Sequence, residues 1–307
     1  MNPYQYAWSE AGFNLRTKET KPKWSRYSIE FPTAYATPSE ESRIARGDYF
    51  CPLRANNVPL VILIHGLGDL SVVPCKLLAR TLVNKGIACF ILYLVFHSSR
   101  MPETVRRRMP ALSSEEWFEG YRMSVIEVRQ IIDWVHSRPE INHEQIAVMG
   151  ISLGGFISAI AMGIDERLKA GVFVAMGGNS EVITWKSKAD TFRKGSICTK
   201  AECRQVHTYY PQYLAEVAEK GFQDVAPFKQ CFLTDTMTFA HRLRNRPILM
   251  INALWDKYIP RQATLEFWEA CGKPAITWLP AGHASLWAWY PFISRKVTGF
   301  VSSNFSA

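Results

Sequence analysis

The stretch VMGISLGGFISAIA, residues 148–161, joins a strand-like pattern to a helix-like one. It continues the run QIAVMGI, which is typical of a buried strand, and then turns into small and apolar residues suited to a helix. Ser152 lies where the two patterns meet, in the arrangement Gly-x-Ser-x-Gly. Glycines let the chain turn sharply there, and the turn would aim the free amides at the start of the helix, including that of Leu153, at a bound substrate. The motif predicts a nucleophilic serine, although small residues around a serine also occur in ordinary turns.

A serine hydroxyl is a poor nucleophile without a neighbouring base, and the chain offers seven histidines for that role. His283 stands out because it lies in LPAGHASLW, between the last predicted strand and the last predicted helix. The carboxyl ends of parallel strands meet at one edge of a sheet, so we expect His283 to lie close to Ser152. It is the predicted general base.

The base needs a carboxylate to orient it, and Asp256 in NALWDKYIP follows the preceding predicted strand. The chain order serine, aspartate, histidine is the one expected for this type of turn. Asp224, Asp235 and Glu181 are weaker alternatives for the acid.

The loop HGLGD, residues 65–69, follows the buried run VPLVILIHG. Its glycines would let the backbone fold over the nucleophile, so that the Leu67 amide pairs with the Leu153 amide to form an oxyanion hole. We expect His65 to be structural and to hold this loop by hydrogen bonds.

Strand and helix patterns alternate along most of the chain, which predicts an α/β fold with a parallel sheet. Predicted helices cover 72–85, 114–136, 260–271 and the chain from about 285. The predicted strands are 27–35, 42–50, 58–66, 87–95, 145–151, 170–176, 247–253 and 274–280.

The alternation lapses between residues 178 and 246, a stretch too long for an unstructured loop in a compact domain. We interpret it as an inserted, partly helical cap whose clearest helix is YLAEVAEKGF, 213–222. The predicted organisation is a leader over 1–26, a core over 27–177 and 247–307, and this cap between the two parts of the core.

Composition narrows the class of protein. The chain has 307 residues, 48% of them hydrophobic, which is ample for a large buried core. Its formal charge is +9, but the basic residues are spread out, so we expect no nucleic-acid partner. No run reaches about 18 apolar residues, so we expect no membrane span. Seven scattered cysteines and the absence of a signal-like start favour the cytoplasm.

A zinc site is an alternative use for part of the insertion. Cys198, Cys203 and His207 have the spacing C-x4-C-x3-H, with Cys231 and His241 further on. The pattern lacks the close cysteine pairs of structural zinc sites, so we predict no metal.

Four motifs together resemble the α/β-hydrolase superfamily, in particular its dienelactone-hydrolase, acyl-peptidase and esterase branch. They are HGLGD at 65, GISLGG at 150, WDKYIP at 255 and GHASLW at 282. The resemblance implies an eight-stranded, mostly parallel sheet and a Ser152–Asp256–His283 triad that needs no metal or organic cofactor.

The sequence therefore predicts a serine carboxylesterase that hydrolyses small-to-medium acyl esters, with a small-molecule ester as its partner. A thioesterase or an acyl-peptidase would use the same triad, because the triad specifies acyl transfer and not the leaving group. A catalytically silent binding protein with this fold is the alternative from another class.

Overall fold

A single sheet forms the centre of the protein. The computed structural model describes residues 2–7, 12–35, 37, 40–95, 97, 100–107, 112–188, 193 and 198–305. Within these residues the sheet has nine strands in the order β1-β2-β3-β5-β4-β6-β7-β8-β9. The strands are β1 (Asn14–Thr20), β2 (Trp24–Pro32), β3 (Ile44–Pro52), β4 (Val58–Ile64), β5 (Ala88–Tyr93), β6 (Ile141–Ile151), β7 (Leu168–Val174), β8 (Ile248–Ala253) and β9 (Ala275–Leu279).

The pairings from β5 through β4 to β9 are all parallel, whereas β1, β2 and β3 extend the sheet in antiparallel fashion. Helices connect the parallel strands, as such a sheet requires. In the described part of the chain the helices are α1 (Val72–Val83), α2 (Glu103–Arg106), α3 (Ser114–Val135), α4 (Leu153–Ile164), α5 (Ser180–Lys186), α6 (Lys200–His207), α7 (Tyr210–Lys220), α8 (Met237–Ala240), α9 (Arg261–Ala270) and α10 (Tyr290–Phe305).

Strand β4 shows how the sheet divides the core. Leu60, Ile62 and Ile64 face the cluster formed with α3, α4 and α9, whereas Val61 and Leu63 face the cluster formed with α1 and α10. All five side chains are fully buried. Because both faces are covered, the strand reads as an unbroken apolar run, which is why the sequence reveals it so clearly.

The α/β-hydrolase fold class is confirmed, but the sheet differs from the predicted one in one strand. The expected eight strands are present, and β1 adds a ninth inside the predicted 1–26 leader, where β2 also begins. Strand β1, NLRTKET, lies at the sheet edge with most of its residues exposed. An exposed edge strand carries no apolar pattern, so the sequence predicts only a polar leader there.

The predicted final helix also begins differently. Residues 285–289 form a 3-10 turn, and α10 begins at Tyr290.

The insertion over 178–246 is partly helical in its described residues, with α5 to α8 and short 3-10 turns. Phe239 packs so closely on α4 that a Cβ on Gly163 would lie 2.6 Å from it. Gly163 is at the far end of α4 from Ser152, and the Phe239 ring also contacts Tyr4 and Phe222. This part of the insertion extends the core on one side of the sheet.

The other part of the insertion reaches the edge where the strands end. The Lys188 amide, just after α5, donates to the Lys257 carbonyl at 3.0 Å, and the Ser187 hydroxyl donates to the same oxygen at 3.1 Å. Lys257 directly follows the predicted acid. A cap over the nucleophile stays a prediction, as do the predicted domain boundaries.

Candidate active site

Ser152 sits on a strained turn between β6 and α4. Its backbone has φ 52° and ψ −116°, in a region that residues other than glycine rarely adopt. The conformation is held from both sides, because the Ser152 amide donates to Val174 at 2.8 Å and its carbonyl accepts from Gly155 at 2.8 Å. Such strain persists only where the surroundings impose it, and it is concentrated at functional sites.

The glycines two residues before and after Ser152 are required by space. A Cβ on Gly150 would lie 2.0 Å from the Gly154 carbonyl oxygen, and a Cβ on Gly154 would lie 2.1 Å from the Ile64 carbonyl oxygen. Real Cβ atoms do not approach backbone so closely. The Gly-x-Ser-x-Gly pattern therefore lets β6, α4 and the end of β4 converge on the serine.

The structure brings Ser152, Asp256 and His283 together. His283 Nε2 lies 2.9 Å from Ser152 Oγ, and His283 Nδ1 lies 2.7 Å from Asp256 Oδ2. The Asp256 side chain is 6% exposed and that of His283 is 19% exposed. A carboxylate that accepts from Nδ1 fixes the imidazole tautomer, so Nε2 is left to accept the serine proton.

Two loops beyond the sheet bring Asp256 and His283 together. The Leu254 amide donates to the Leu279 carbonyl at 2.9 Å, and the Trp255 amide donates to the Ala281 carbonyl at 3.0 Å. These bonds continue the pairing of β8 with β9 past the ends of both strands. Asp256 follows directly, so the register of the two strands sets its distance from His283.

The Asp256 carboxylate is held by its own loop as well. Its Oδ1 accepts from the amides of Tyr258 and Ile259 at 2.8 and 3.0 Å, which leaves Oδ2 for His283. The Tyr258 ring lies 5.0 Å from the His283 ring, centre to centre. Sequence reasoning did not single out Tyr258, although its position two residues after an acid in a tight turn is a usable signal.

The HGLGD loop lies against Ser152. Ile64 pairs with Gly150 in the parallel β4–β6 ladder, so the residues after each strand are neighbours. A Cβ on Gly66 would lie 3.4 Å from Ser152 Cβ. Leu67 follows Gly66, and Leu153 opens α4, where amides have no partner within the helix. One predicted oxyanion donor is thus the residue after Ser152, and the other is the residue after Gly66, which lies against Ser152.

The alternative acids are engaged elsewhere. Asp235 accepts from the amides of Asn179, Ser180 and Met237, at 2.6–3.0 Å. Glu181 lies 3.8 Å from a guanidinium nitrogen of Arg204, and Asp224 is exposed. Of the four carboxylates that the sequence offered, Asp256 is the one that meets His283.

The cysteines of the insertion do not assemble a metal site in the described part of the chain, where no three His, Cys, Asp or Glu side chains are grouped for that purpose. Cys203 Sγ is 3.7 Å from His207 Nδ1. Burial raises the pKa of the Cys203 thiol to about 11, so it stays protonated at neutral pH. None of the described helices has the length and apolar character of a membrane span.

A family model described as alpha/beta hydrolase domain containing 18 matches residues 25–225. The match covers well over half of the chain, and the chain belongs to this family. It includes Ser152 and the HGLGD loop but ends before Asp256 and His283.

Two curated relatives are "Uncharacterized protein MT2702" and "Uncharacterized protein Rv2627c", both of Mycobacterium tuberculosis. Each is 24% identical over 186 residues, which is 60% of this chain. The matched part spans 37% of the relatives' own length.

Solved structures share the fold over nearly the whole chain. Acetyl xylan esterase from Paenibacillus sp. R4 has a TM-score of 0.67 at 19% identity, covering 95% of this chain and 88% of its own. An S-formylglutathione hydrolase from Agrobacterium tumefaciens has a TM-score of 0.61 at 13% identity, covering 94% and 99%. Pyrococcus horikoshii acylaminoacyl peptidase has a TM-score of 0.60 at 14% identity, covering 94% and 41%. At these identities the likeness concerns the fold.

Proposed function

We propose that the protein is a serine carboxylesterase that hydrolyses small-to-medium acyl esters through an acyl-enzyme on Ser152. The observation that carries the proposal is the position of His283, whose two ring nitrogens lie 2.9 Å from Ser152 Oγ and 2.7 Å from Asp256 Oδ2. A hydroxyl, an imidazole and a carboxylate in this order are the parts that nucleophilic acyl transfer needs.

In the first half-reaction Ser152 Oγ attacks the ester carbonyl while its proton passes to His283 Nε2. Asp256 stabilises the imidazolium across the 2.7 Å contact. The carbonyl oxygen becomes an oxyanion, which the Leu67 and Leu153 amides receive. Collapse of the tetrahedral intermediate expels the alcohol, which takes the proton from His283, and Ser152 is left acylated.

In the second half-reaction a water molecule gives its proton to His283 Nε2 and attacks the acyl-enzyme. The same amides hold the second oxyanion, and collapse returns the proton to Ser152 Oγ as the carboxylic acid leaves. Every proton in the cycle moves through one nitrogen. The described residues thus account for the reaction with a water molecule as the only co-reactant.

Ester specificity rests on fold neighbours and on exposed apolar side chains beside the site. Trp255, next to the proposed acid, is 65% exposed, and Leu70, next to the HGLGD loop, is 84% exposed. Both are available to contact the acyl or the alcohol portion of an apolar substrate. Acetyl xylan esterase is among the structures that share the fold.

The test combines fluorophosphonate labelling with p-nitrophenyl esters from acetate to palmitate. We expect Ser152→Ala to abolish labelling and to lower kcat by more than about 10⁴-fold, because the nucleophile is lost. Ser303→Ala, an exposed serine on α10, is the matched control and should behave as the wild type. Full hydrolysis by Ser152→Ala would show the mechanism to be wrong.

The same assay separates the alternatives. Faster turnover of an acyl-CoA would indicate a thioesterase, and faster turnover of an aminoacyl arylamide would indicate an acyl-peptidase. A wild-type protein that neither labels nor hydrolyses any of these would be a binding protein.

A further inference from the structure

Ser71 stands at a helix start but does not cap the helix. It is the residue before α1, where a serine side chain usually accepts from an amide of the first turn, yet its hydroxyl makes no such bond. Instead the hydroxyl turns back to the HGLGD loop and lies 2.7 Å from the Gly66 carbonyl oxygen and 2.5 Å from that of Gly68. The function of this hydroxyl is therefore in the loop.

A second donor meets the same carbonyl. The Leu94 amide donates to His65 Nε2 at 3.1 Å, so in the neutral ring the proton is on Nδ1. His65 Nδ1 lies 2.7 Å from the Gly66 oxygen and 3.0 Å from Ser71 Oγ. The fully buried His65 ring and the Ser71 hydroxyl thus both lie against the Gly66 carbonyl, and the single Ser71 proton is shared between this oxygen and that of Gly68.

The position of one carbonyl fixes the direction of the next amide. A peptide unit is planar and trans, so the Gly66 C=O and the Leu67 N–H point in opposite directions. Gly66 itself lies against Ser152. Anchoring the carbonyl at His65 and Ser71 therefore also fixes the direction of the Leu67 N–H in this loop beside Ser152.

Glycines make this anchoring necessary. Gly66 and Gly68 flank Leu67, and Gly68 has φ +91°. Because glycine has no side chain, the peptides between these two positions are not restrained by side-chain packing. Rotation of the Gly66–Leu67 peptide by half a turn would present a carbonyl oxygen, and not an amide, to the oxyanion. A negative charge next to that oxygen would be repelled.

We propose that Ser71 is a positioning residue for the esterase reaction: its hydroxyl, together with His65, holds the Gly66–Leu67 peptide in the orientation that aims the Leu67 amide at the oxyanion. The proposal rests on the proposed function. It assigns Ser71 no contact with substrate.

The test is Ser71→Ala, compared with Ser71→Thr, in a full kinetic analysis with a p-nitrophenyl ester. Removal of the hydroxyl leaves His65 on the Gly66 carbonyl without the support of Ser71, and we expect kcat to fall about 10- to 100-fold while KM changes less than about 3-fold. Inhibition by a trifluoromethyl ketone of similar acyl size, whose adduct with Ser152 carries an oxyanion, should weaken by the same factor as kcat. Ser71→Thr keeps a hydroxyl and should restore most of both.

Ser113→Ala is the matched control. Ser113 stands at the start of α3 and does cap it, since its hydroxyl accepts from the Glu116 amide at 3.1 Å. Its loss should lower thermal stability and leave kcat and the inhibition constant of the ketone unchanged. A merely structural role for Ser71 would give the same pattern as Ser113→Ala.

Either of two results would overturn the role proposed for Ser71 while leaving the proposed function intact. One is a kcat of Ser71→Ala within about 2-fold of the wild type, and the other is a lower kcat with unchanged affinity for the ketone. Ser152→Ala is measured in the same assays. If wild-type hydrolysis does not depend on Ser152, the proposed function itself fails, and this inference fails with it.

Discussion

Two loops of the protein each hold an aspartate in a net of backbone amides, and they use it differently. After β8, Asp256 Oδ1 accepts hydrogen bonds from two backbone amides, and Oδ2 contacts His283. In the insertion, Asp235 accepts two amides on Oδ1, from Asn179 and Met237, and a third on Oδ2 from Ser180. Both side chains are nearly buried.

The difference is one oxygen atom. Both Asp235 oxygens accept hydrogen bonds from backbone amides at the starts of α5 and α8. The side chain thereby links these two helices and stabilises the attachment of the insertion. One Asp256 oxygen accepts hydrogen bonds from amides of its own turn, which holds the side chain in place. The second oxygen remains available to a side chain from another loop. A buried carboxylate can thus be used entirely by the backbone or can also meet a distant side chain, according to what its remaining lone pairs contact.

Among the carboxylates, the largest expected effect follows from Asp256→Asn. The amide oxygen can still accept from the turn, but an amide nitrogen facing His283 Nδ1 favours the wrong imidazole tautomer. We expect kcat for a p-nitrophenyl ester to fall about 10³- to 10⁴-fold, with the free energy of unfolding changed by less than about 1 kcal/mol. Steady-state kinetics and urea unfolding measure the two quantities, and an active Asp256→Asn protein would remove Asp256 from the triad.

Asp235→Asn should show the opposite pattern. The side-chain amide of asparagine has one accepting oxygen where aspartate has two, so one buried backbone amide loses its partner. We expect the free energy of unfolding to fall by about 1–3 kcal/mol. The kcat/KM ratio should stay within about 2-fold. Asp224→Asn, an exposed change in the same insertion, is the control for stability. Loss of activity without loss of stability in Asp235→Asn would erase the contrast between the two loops.

A third carboxylate sharpens the comparison because its partners are charged. Burial alone would raise the pKa of Asp165, but the hydrogen bonds and charge of Arg167, with the charge of Arg129, outweigh it and hold the pKa below the usual 3.8. The stabilisation is therefore fully present above about pH 4 and is lost as the pH falls through the lowered pKa. Asp165 Oδ2 lies 2.7 Å from Arg167 and 3.2 Å from Arg129.

We therefore expect the wild type to lose more stability between pH 4 and pH 2 than Asp165→Asn, since that variant has no proton to take up at this position. Urea unfolding across this range measures the difference. Equal losses in the two proteins would show that Asp165 does not contribute to acid sensitivity. The effect is the smallest of the three because it is confined to acid pH.

The buried strands and the turn at Ser152 could be predicted from sequence because their causes are local. A strand covered on both faces must be apolar throughout, as β4 is, and a turn that brings backbone to within contact distance must be glycine, as at Gly150 and Gly154. The exposed edge strand β1 has no such constraint, and the sequence did not reveal it.

The sequence by itself determined the α/β class, the positions of the core strands along the chain and the residues brought to one edge of the sheet, because each depends on apolar pattern and on the direction of parallel strands. Only the tertiary structure decided which carboxylate meets His283, where the insertion packs and what the Ser71 hydroxyl holds. Those facts depend on distances between residues far apart in the chain, which no local pattern encodes.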